Sequence, residues 1–238
     1  MIKRLFGPYL SATSTLKYGF VMSLPLLVLY EALIALTTPD TGVAVRLSTD
    51  IWIKSIASLV GVSTLKFTVF IVMTMGLLVW YKSKDNPVSL HGKFLLLMVL
   101  ESAVWAIVLA KLVSGTVGAV FAFAPDGDTL SVGQQFALSL GAGLYEELVF
   151  RVLLVPFLVY LFAKTGFGAK GSVFAGIVVG ALLFSAVHYM GSMGDVFTLQ
   201  SFTFRFLFGL ALNALLMLRG FGIAAWTHSL YDVMVILV

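Results

Sequence analysis

The sequence predicts an all-α, polytopic transmembrane helix bundle of about seven spans, with six or eight as the neighbouring counts, and three observations carry that prediction. Apolar residues make up 60% of the 238 and charged residues only 11%, against roughly a quarter charged in a soluble domain. A water-facing surface cannot be assembled from such a chain. The mean hydropathy is +1.05, and the apolar residues come in runs near the roughly 20 residues a helix needs to cross hydrocarbon. These runs are apolar all round rather than alternating. Lipid leaves the backbone to satisfy its own hydrogen bonds, so the spans are helices and not barrel strands.

The runs fall at 18–37, 67–81, 94–113, 136–162, 173–190, 202–218 and 223–238. The second is short and can draw on residues 56–66. The fourth is long and contains Pro156, which lacks a backbone donor and crowds the carbonyl four residues earlier. A kink there, or a division into a span and an interfacial piece, is expected.

Loop charges supply an orientation. Lys3, Arg4 and Lys17 precede the first span. Lys82, Lys84 and Lys93 occupy the second connection, Lys164 and Lys170 the fourth, and Arg219 the sixth. The alternate connections hold Asp126 with Asp128, then Asp195, while the first is mixed, with Asp40 and Asp50 against Arg46, Lys54 and Lys66. This alternation matches the positive-inside rule for a cytoplasmic N-terminus and an external C-terminus. Residues 1–17 are basic and lead into a run without a small-residue cleavage site, so that run is expected to be a retained span.

The net charge of +4 does not point to nucleic acid, because the basic residues stand singly at the ends of apolar runs, where they anchor helices. Cysteine is absent, which excludes a disulfide framework, a thiolate metal site and a cysteine nucleophile. Neither a repeat nor a second, soluble domain is evident. The chain reads as a single membrane domain over 1–238, with spans lacking a motif in 1–133 and a motif-bearing core in 134–238.

In such a chain the informative residues are the ionisable ones inside the spans, each costing ~2.5–3.5 kcal/mol on insertion scales unless it pairs or lines a wet cavity. These are Glu31, Glu101, Lys111, Glu146, Glu147, Arg151, His188, Arg205, His228 and Asp232. Glu147 and Arg151 stand four apart, the better orientation for an ion pair on one helix face. Adjacent residues point about 100° apart on an α-helix, so Glu146 is expected to have different neighbours from Glu147. A carboxylate in low dielectric suits a general base or a shuttling acid. His228 and Asp232 also share a face, so Asp232 is placed to orient or charge the imidazole. Ser185 and Ser229, beside the histidines, lie off the histidine faces. For Glu31, Glu101, Lys111 and Arg205, shaping a substrate cavity stands beside interhelical pairing or snorkelling.

Three clusters, Glu146-Glu147…Arg151, Phe184…His188 and His228…Asp232, resemble in order and spacing the motifs of the CAAX prenyl protease and bacteriocin-processing family, also called CPBP or Abi proteases. That resemblance implies an intramembrane endopeptidase acting on a membrane-associated or lipidated protein or peptide. It assigns Glu146 as the base activating water, and His188 as the group holding that water or sharing its proton. Glu147 becomes a supporting carboxylate paired with Arg151, His228 and Asp232 stabilise the oxyanion, and Phe184 packs beside the site. The eukaryotic members have asparagine where this chain has Asp232. An ionised aspartate cannot donate to an oxyanion, so Asp232 is expected to accept from His228, with protonated Asp232 as the alternative. No cofactor is expected; zinc held by Glu146, His188 and His228 is the alternative, although the His-Glu-x-x-His signature is missing.

The expected partners are a protein or peptide substrate and the lipid bilayer. The compact length and the many phenylalanines point to a bacterial or archaeal cell membrane. Two other classes remain open: a transporter or channel, since buried carboxylates and histidines also build relays, and a catalytically silent adaptor or immunity protein on the same scaffold.

Overall fold

The computed structural model describes residues 2–38, 44–85, 87–117, 130–191 and 194–237, all of whose regular structure is helical. The expected loop residues Asp40, Asp126 and Asp128 lie outside the described residues. In chain order the helices are α1 (Ile2–Thr13), α2 (Leu16–Thr37), α3 (Ser48–Leu59), α4 (Thr64–Ser83), α5 (Gly92–Val117) and α6 (Val132–Gly141). A π-helical segment, Ala142–Leu154, follows, and then α7 (Val155–Lys164), α8 (Ala169–Val187), α9 (Leu199–Arg219) and α10 (Phe221–Leu237).

The chain is therefore a polytopic helix bundle, but its spans differ in kind from the seven expected. Among the described residues five helices (α2, α4, α5, α8 and α9) are long and apolar enough to cross a bilayer. The expected fourth span is α6, the π segment and α7 in continuous helix, with right-handed backbone at both junctions. The expected seventh is α10, apolar but only 17 residues long. Pro156 sits at the start of α7, so the predicted interruption takes the form of a change in winding. Just before it, the Val155 N–H reaches back five residues to the Phe150 carbonyl, the bond pattern of a π-helix.

The short α10 is central, packing against α2, α5, α6, the π segment and α9. Close approach is what allows this. A Cβ added to Gly143 would lie 2.1 Å from Ser229 Oγ and 2.2 Å from the Ala225 carbonyl oxygen, so the π segment touches α10 backbone to backbone. In α8, Ser172, Gly176 and Gly180 repeat every fourth residue, and a Cβ at either glycine would lie 2.6 Å from a valine methyl of α7. Small residues on one stripe are how membrane helices gain contact where lipid is as apolar as the protein. By contrast α4 buries none of its residues, and Phe70, Met73, Leu77 and Trp80 stand exposed, as a lipid-facing helix requires.

Two segments read as loops are ordered by charge. The first connection contains α3, whose Asp50 and Lys54 are buried. Asp50 pairs with Arg46 at 2.9 Å and with Lys54 at 2.8 Å, Glu31 of α2 pairs with Arg46 and Lys54, and the Tyr30 hydroxyl donates to Asp50 at 2.8 Å. Arg219, counted above as a loop charge, is also buried: it pairs with Glu101 of α5 at 2.6 Å and donates to Thr13 and Ser14 at the end of α1. Glu31 and Glu101 thus serve interhelical ion pairs rather than a substrate cavity, and Lys111 is exposed on α5.

Gly143→Ala is expected to destabilise the fold by roughly 1–3 kcal/mol, the range for overpacking, read as a lowered thermal midpoint of the purified protein in detergent. Gly7→Ala in α1, where nothing lies within 4 Å of the added Cβ, is the neutral control. Equal midpoints for the two would refute the backbone contact.

Candidate active site

The three motif clusters converge where the π segment, the end of α8 and α10 meet. Glu146 and Glu147 lie on the π segment, Phe184 on the last turn of α8, and His228 and Asp232 on α10. His188 is not inside a span as expected. It caps α8, which ends at Val187. Its Nδ1 is 2.8 Å from the Phe184 carbonyl oxygen, an atom that only accepts, so Nδ1 carries the proton and Nε2 is left to face Glu146.

Glu147 is fully buried and holds two partners. Its Oε1 accepts from His228 Nδ1 at 2.7 Å and pairs with Arg151 Nη1 at 3.2 Å. Arg151, 3% exposed, stacks its guanidinium on the Phe184 ring at 3.9 Å, and Phe184 sits edge-on to both histidines. The imidazole of His228 is thus held by Glu147. Asp232 Oδ2 stands 3.6 Å from His228 Nε2, longer than a hydrogen bond.

Glu146 has neighbours of a different type. Its Oε2 is 4.0 Å from His188 Nε2 and 3.9 Å from His228 Nε2, and this buried oxygen has no hydrogen-bond partner among the described residues. The two glutamates nevertheless share His228, contrary to the expectation of separate surroundings. A π-helix takes more residues per turn than an α-helix, so successive side chains diverge less, and Glu146 and Glu147 straddle one imidazole.

A cavity of about 280 Å³ opens here, lined by Glu146, His188, His228 and Asp232 together with Phe204, Arg205, Phe208 and Tyr231. Phe208 and Tyr231 carried no signal in the sequence, since aromatic residues on apolar helices are ordinary; packing of α9 against α8 and α10 brings Phe208 edge-on to His228 at 5.4 Å. Ser185 and Ser229 are buried, donating to the Phe202 carbonyl at 2.7 Å and the Leu140 carbonyl at 3.3 Å. Among the described residues no group of three or more His, Asp or Glu is arranged to hold a metal ion.

Residues 128–234 match the family model described as Type II CAAX prenyl endopeptidase Rce1-like. The motif-bearing part of the chain is Rce1-like. No curated protein and no solved structure matches the chain. The Rce1-like family is a protease family, which implies a protein or peptide substrate, and with the five apolar helices it makes the chain an integral membrane protein. The Rce1-like match covers the π segment, α8, α9 and nearly all of α10, the elements that carry the cavity.

Arg151→Leu is expected to destabilise the protein by about 3–5 kcal/mol, because it leaves the Glu147 charge buried without its cation. Arg151→Lys should not restore stability, since an ammonium lacks the planar fork that pairs with Glu147 while stacking on Phe184. Thermal midpoints in detergent measure both, and a lysine variant as stable as wild type would show that charge alone suffices.

Proposed function

We propose that the chain is an intramembrane endopeptidase in which Glu146 activates a water molecule for attack on a peptide bond of a membrane-associated substrate. The observation that carries this reading is the unpartnered Glu146 oxygen standing about equally far, 4.0 Å and 3.9 Å, from the Nε2 atoms of two histidines on different helices. Polar atoms at such spacing are suited to bridging through water.

In this reading Glu146 takes a proton from the water as its oxygen attacks the scissile carbonyl. The unprotonated Nε2 of His188 accepts from the same water and orients it. His228, held through Nδ1 by Glu147, faces the carbonyl with Nε2; as the tetrahedral intermediate collapses, Nε2 relays the proton that Glu146 took from the water to the nitrogen of the breaking C–N bond, so that the amine leaves neutral. Glu147 and Arg151 act as positioning residues: the carboxylate fixes the imidazole and the guanidinium braces that carboxylate. Asp232 Oδ2 stands 3.6 Å from that Nε2. None of these steps requires a metal.

The hydrolase reading is preferred over a transporter because the polar groups meet in one compact cavity with an acceptor and two imidazoles around it, whereas a relay needs a polar track across the bundle. The family match favours a protease over a silent adaptor.

Glu146→Gln is expected to lower peptide cleavage by purified protein by roughly 10²–10⁴-fold, the range for loss of a general base, while Asp232→Asn keeps measurable activity. Fragments in membranes of cells expressing wild type and absent with Glu146→Gln would identify the substrate. Equal, total loss in both variants would overturn the division of roles. Activity surviving exhaustive chelation supports the metal-free reading, and loss restored only by zinc would reject it.

A further inference from the structure

The π segment has a second cavity on its other side. This groove, of about 490 Å³, runs between α2, α4 and the face of the segment that carries Tyr145, Leu148 and Arg151. Among the described residues it shares no lining residue with the cavity that holds Glu146. The segment is therefore a partition one helix thick, with Glu146 on one face and Arg151 on the other.

The walls decide what the groove can hold. Its lining is mainly aliphatic and aromatic, and its hydroxyls are committed to their own helices. Ser14 donates to the Leu10 carbonyl, Thr15 to Ala12, Ser23 to Phe20 and Thr68 to Thr64. The lining residues run from Leu16 to Leu27 on α2 and from Thr68 to Val79 on α4, about 17 Å along each helix at roughly 1.5 Å per residue. Half of a ~30 Å hydrocarbon core is about 15 Å, so the groove has the length of an acyl chain in one leaflet. It is also continuous with the lipid-facing surface, because α4 packs chiefly on α2 and α3 and buries none of its residues. Water finds too few polar partners in such a space, and an empty gap forfeits the dispersion contacts of its walls. A hydrocarbon chain avoids both costs.

One end of the groove is basic. Where Leu16 and Val79 mark that end, Lys17 lies in the first turn of α2, Lys82 in the last turn of α4 and Lys84 just beyond it, with Asp85 the acid of the same stretch. Lys17 Nζ donates to the Val88 carbonyl at 2.8 Å, which ties the start of α2 to the connection that follows Lys82 and Lys84. Both of those lysines are exposed. Lysines at the level of the headgroups attract anionic lipid, and a phosphate at this end leaves its acyl chain pointing along the groove.

We propose that the groove behind the π segment binds an anionic glycerophospholipid of the bilayer, with one acyl chain along α2 and α4 and the phosphate at Lys17, Lys82 and Lys84. The site does not rest on the peptidase reading, and its separate lining sets it apart from the cavity in which a substrate would lie. The chain also has a consequence for the partition. It keeps water from the Arg151 side of the Glu147–Arg151 pair, and an ion pair is stronger where the local dielectric is low.

The test counts bound lipid. Protein purified in detergent is titrated with dioleoyl phosphatidylglycerol or dioleoyl phosphatidylcholine, and one-to-one complexes are followed by native mass spectrometry. The anionic lipid is expected to bind about tenfold more tightly, the ratio that corresponds to ~1.4 kcal/mol. Val72→Trp, which fills the groove from α4, should weaken phosphatidylglycerol binding about tenfold, whereas Leu77→Trp, on the exposed side of the same helix, should bind as wild type does. A Lys82→Gln/Lys84→Gln double variant, which leaves the groove intact, should bring the two lipids close to equal affinity. Equal binding of the two lipids by wild type, a preference that survives the double variant, or unchanged binding in Val72→Trp overturns the site. Displacement of the phospholipid by a farnesylated peptide would give the groove to substrate, and a dimer lost only in Val72→Trp would give it to a second copy of the chain; either result overturns it too. Because no bond is cleaved, failure here is separate from failure of Glu146 to support proteolysis.

Discussion

The buried Glu147 carboxylate joins the parts of this molecule that have to be held together for a site to exist. It binds the His228 imidazole of α10 on one side and the Arg151 guanidinium of its own segment on the other. The Arg151 guanidinium in turn lies over the Phe184 ring of α8, 3.9 Å from its centroid. One carboxylate therefore ties the π segment to two neighbouring helices in a medium where an unpaired charge is very costly. The orientation of His228 follows from it, since Nδ1 is committed and only Nε2 is left to face Glu146.

The π winding works together with that contact. An α-helical Glu146-Glu147 pair would send the two carboxylates toward different neighbours. With wider turns they flank a single imidazole, one bonded to it at 2.7 Å and the other 3.9 Å away on its far side. Winding of this kind is uncommon and is frequently found at functional sites. Its weaker backbone packing is offset here by the close contact of Gly143 with Ala225 and Ser229, which a side chain at residue 143 would prevent. Pro156 marks the return to ordinary winding just after the segment that carries Arg151.

Charges elsewhere in the bundle divide into closed and open sets. The α1–α5–α9 set around Arg219 and the α2–α3 set around Asp50 are complete within the protein and brace the helices that surround α10. The Arg205–Asp195 pair is exposed on its Asp195 side and sits on the wall of the cavity that holds Glu146. The distinction arises from what each acid is attached to: a packed helix in the closed sets, an exposed connection in the open one.

Several features were legible in the sequence alone. Lipid as the surroundings, helix as the only backbone solution and the importance of the few intramembrane charges all follow from hydropathy and from the cost of unsatisfied polar groups. The spacing of Glu146-Glu147-Arg151, Phe184-His188 and His228-Asp232 singled out residues that the fold brings together, and the Glu147–Arg151 pair could be read from their separation by four. Long-range packing decided the rest. Spacing along one helix cannot reveal that Glu147, rather than Asp232, holds His228, because their separation in the chain is closed only when α10 meets the π segment. Local propensity gave no sign of the π winding, nor of the close glycine contact it makes with α10. Asp50, Lys54 and Arg219 read as loop charges because sequence shows where a charge lies along the chain; only the tertiary structure brings the opposite charges that allow burial.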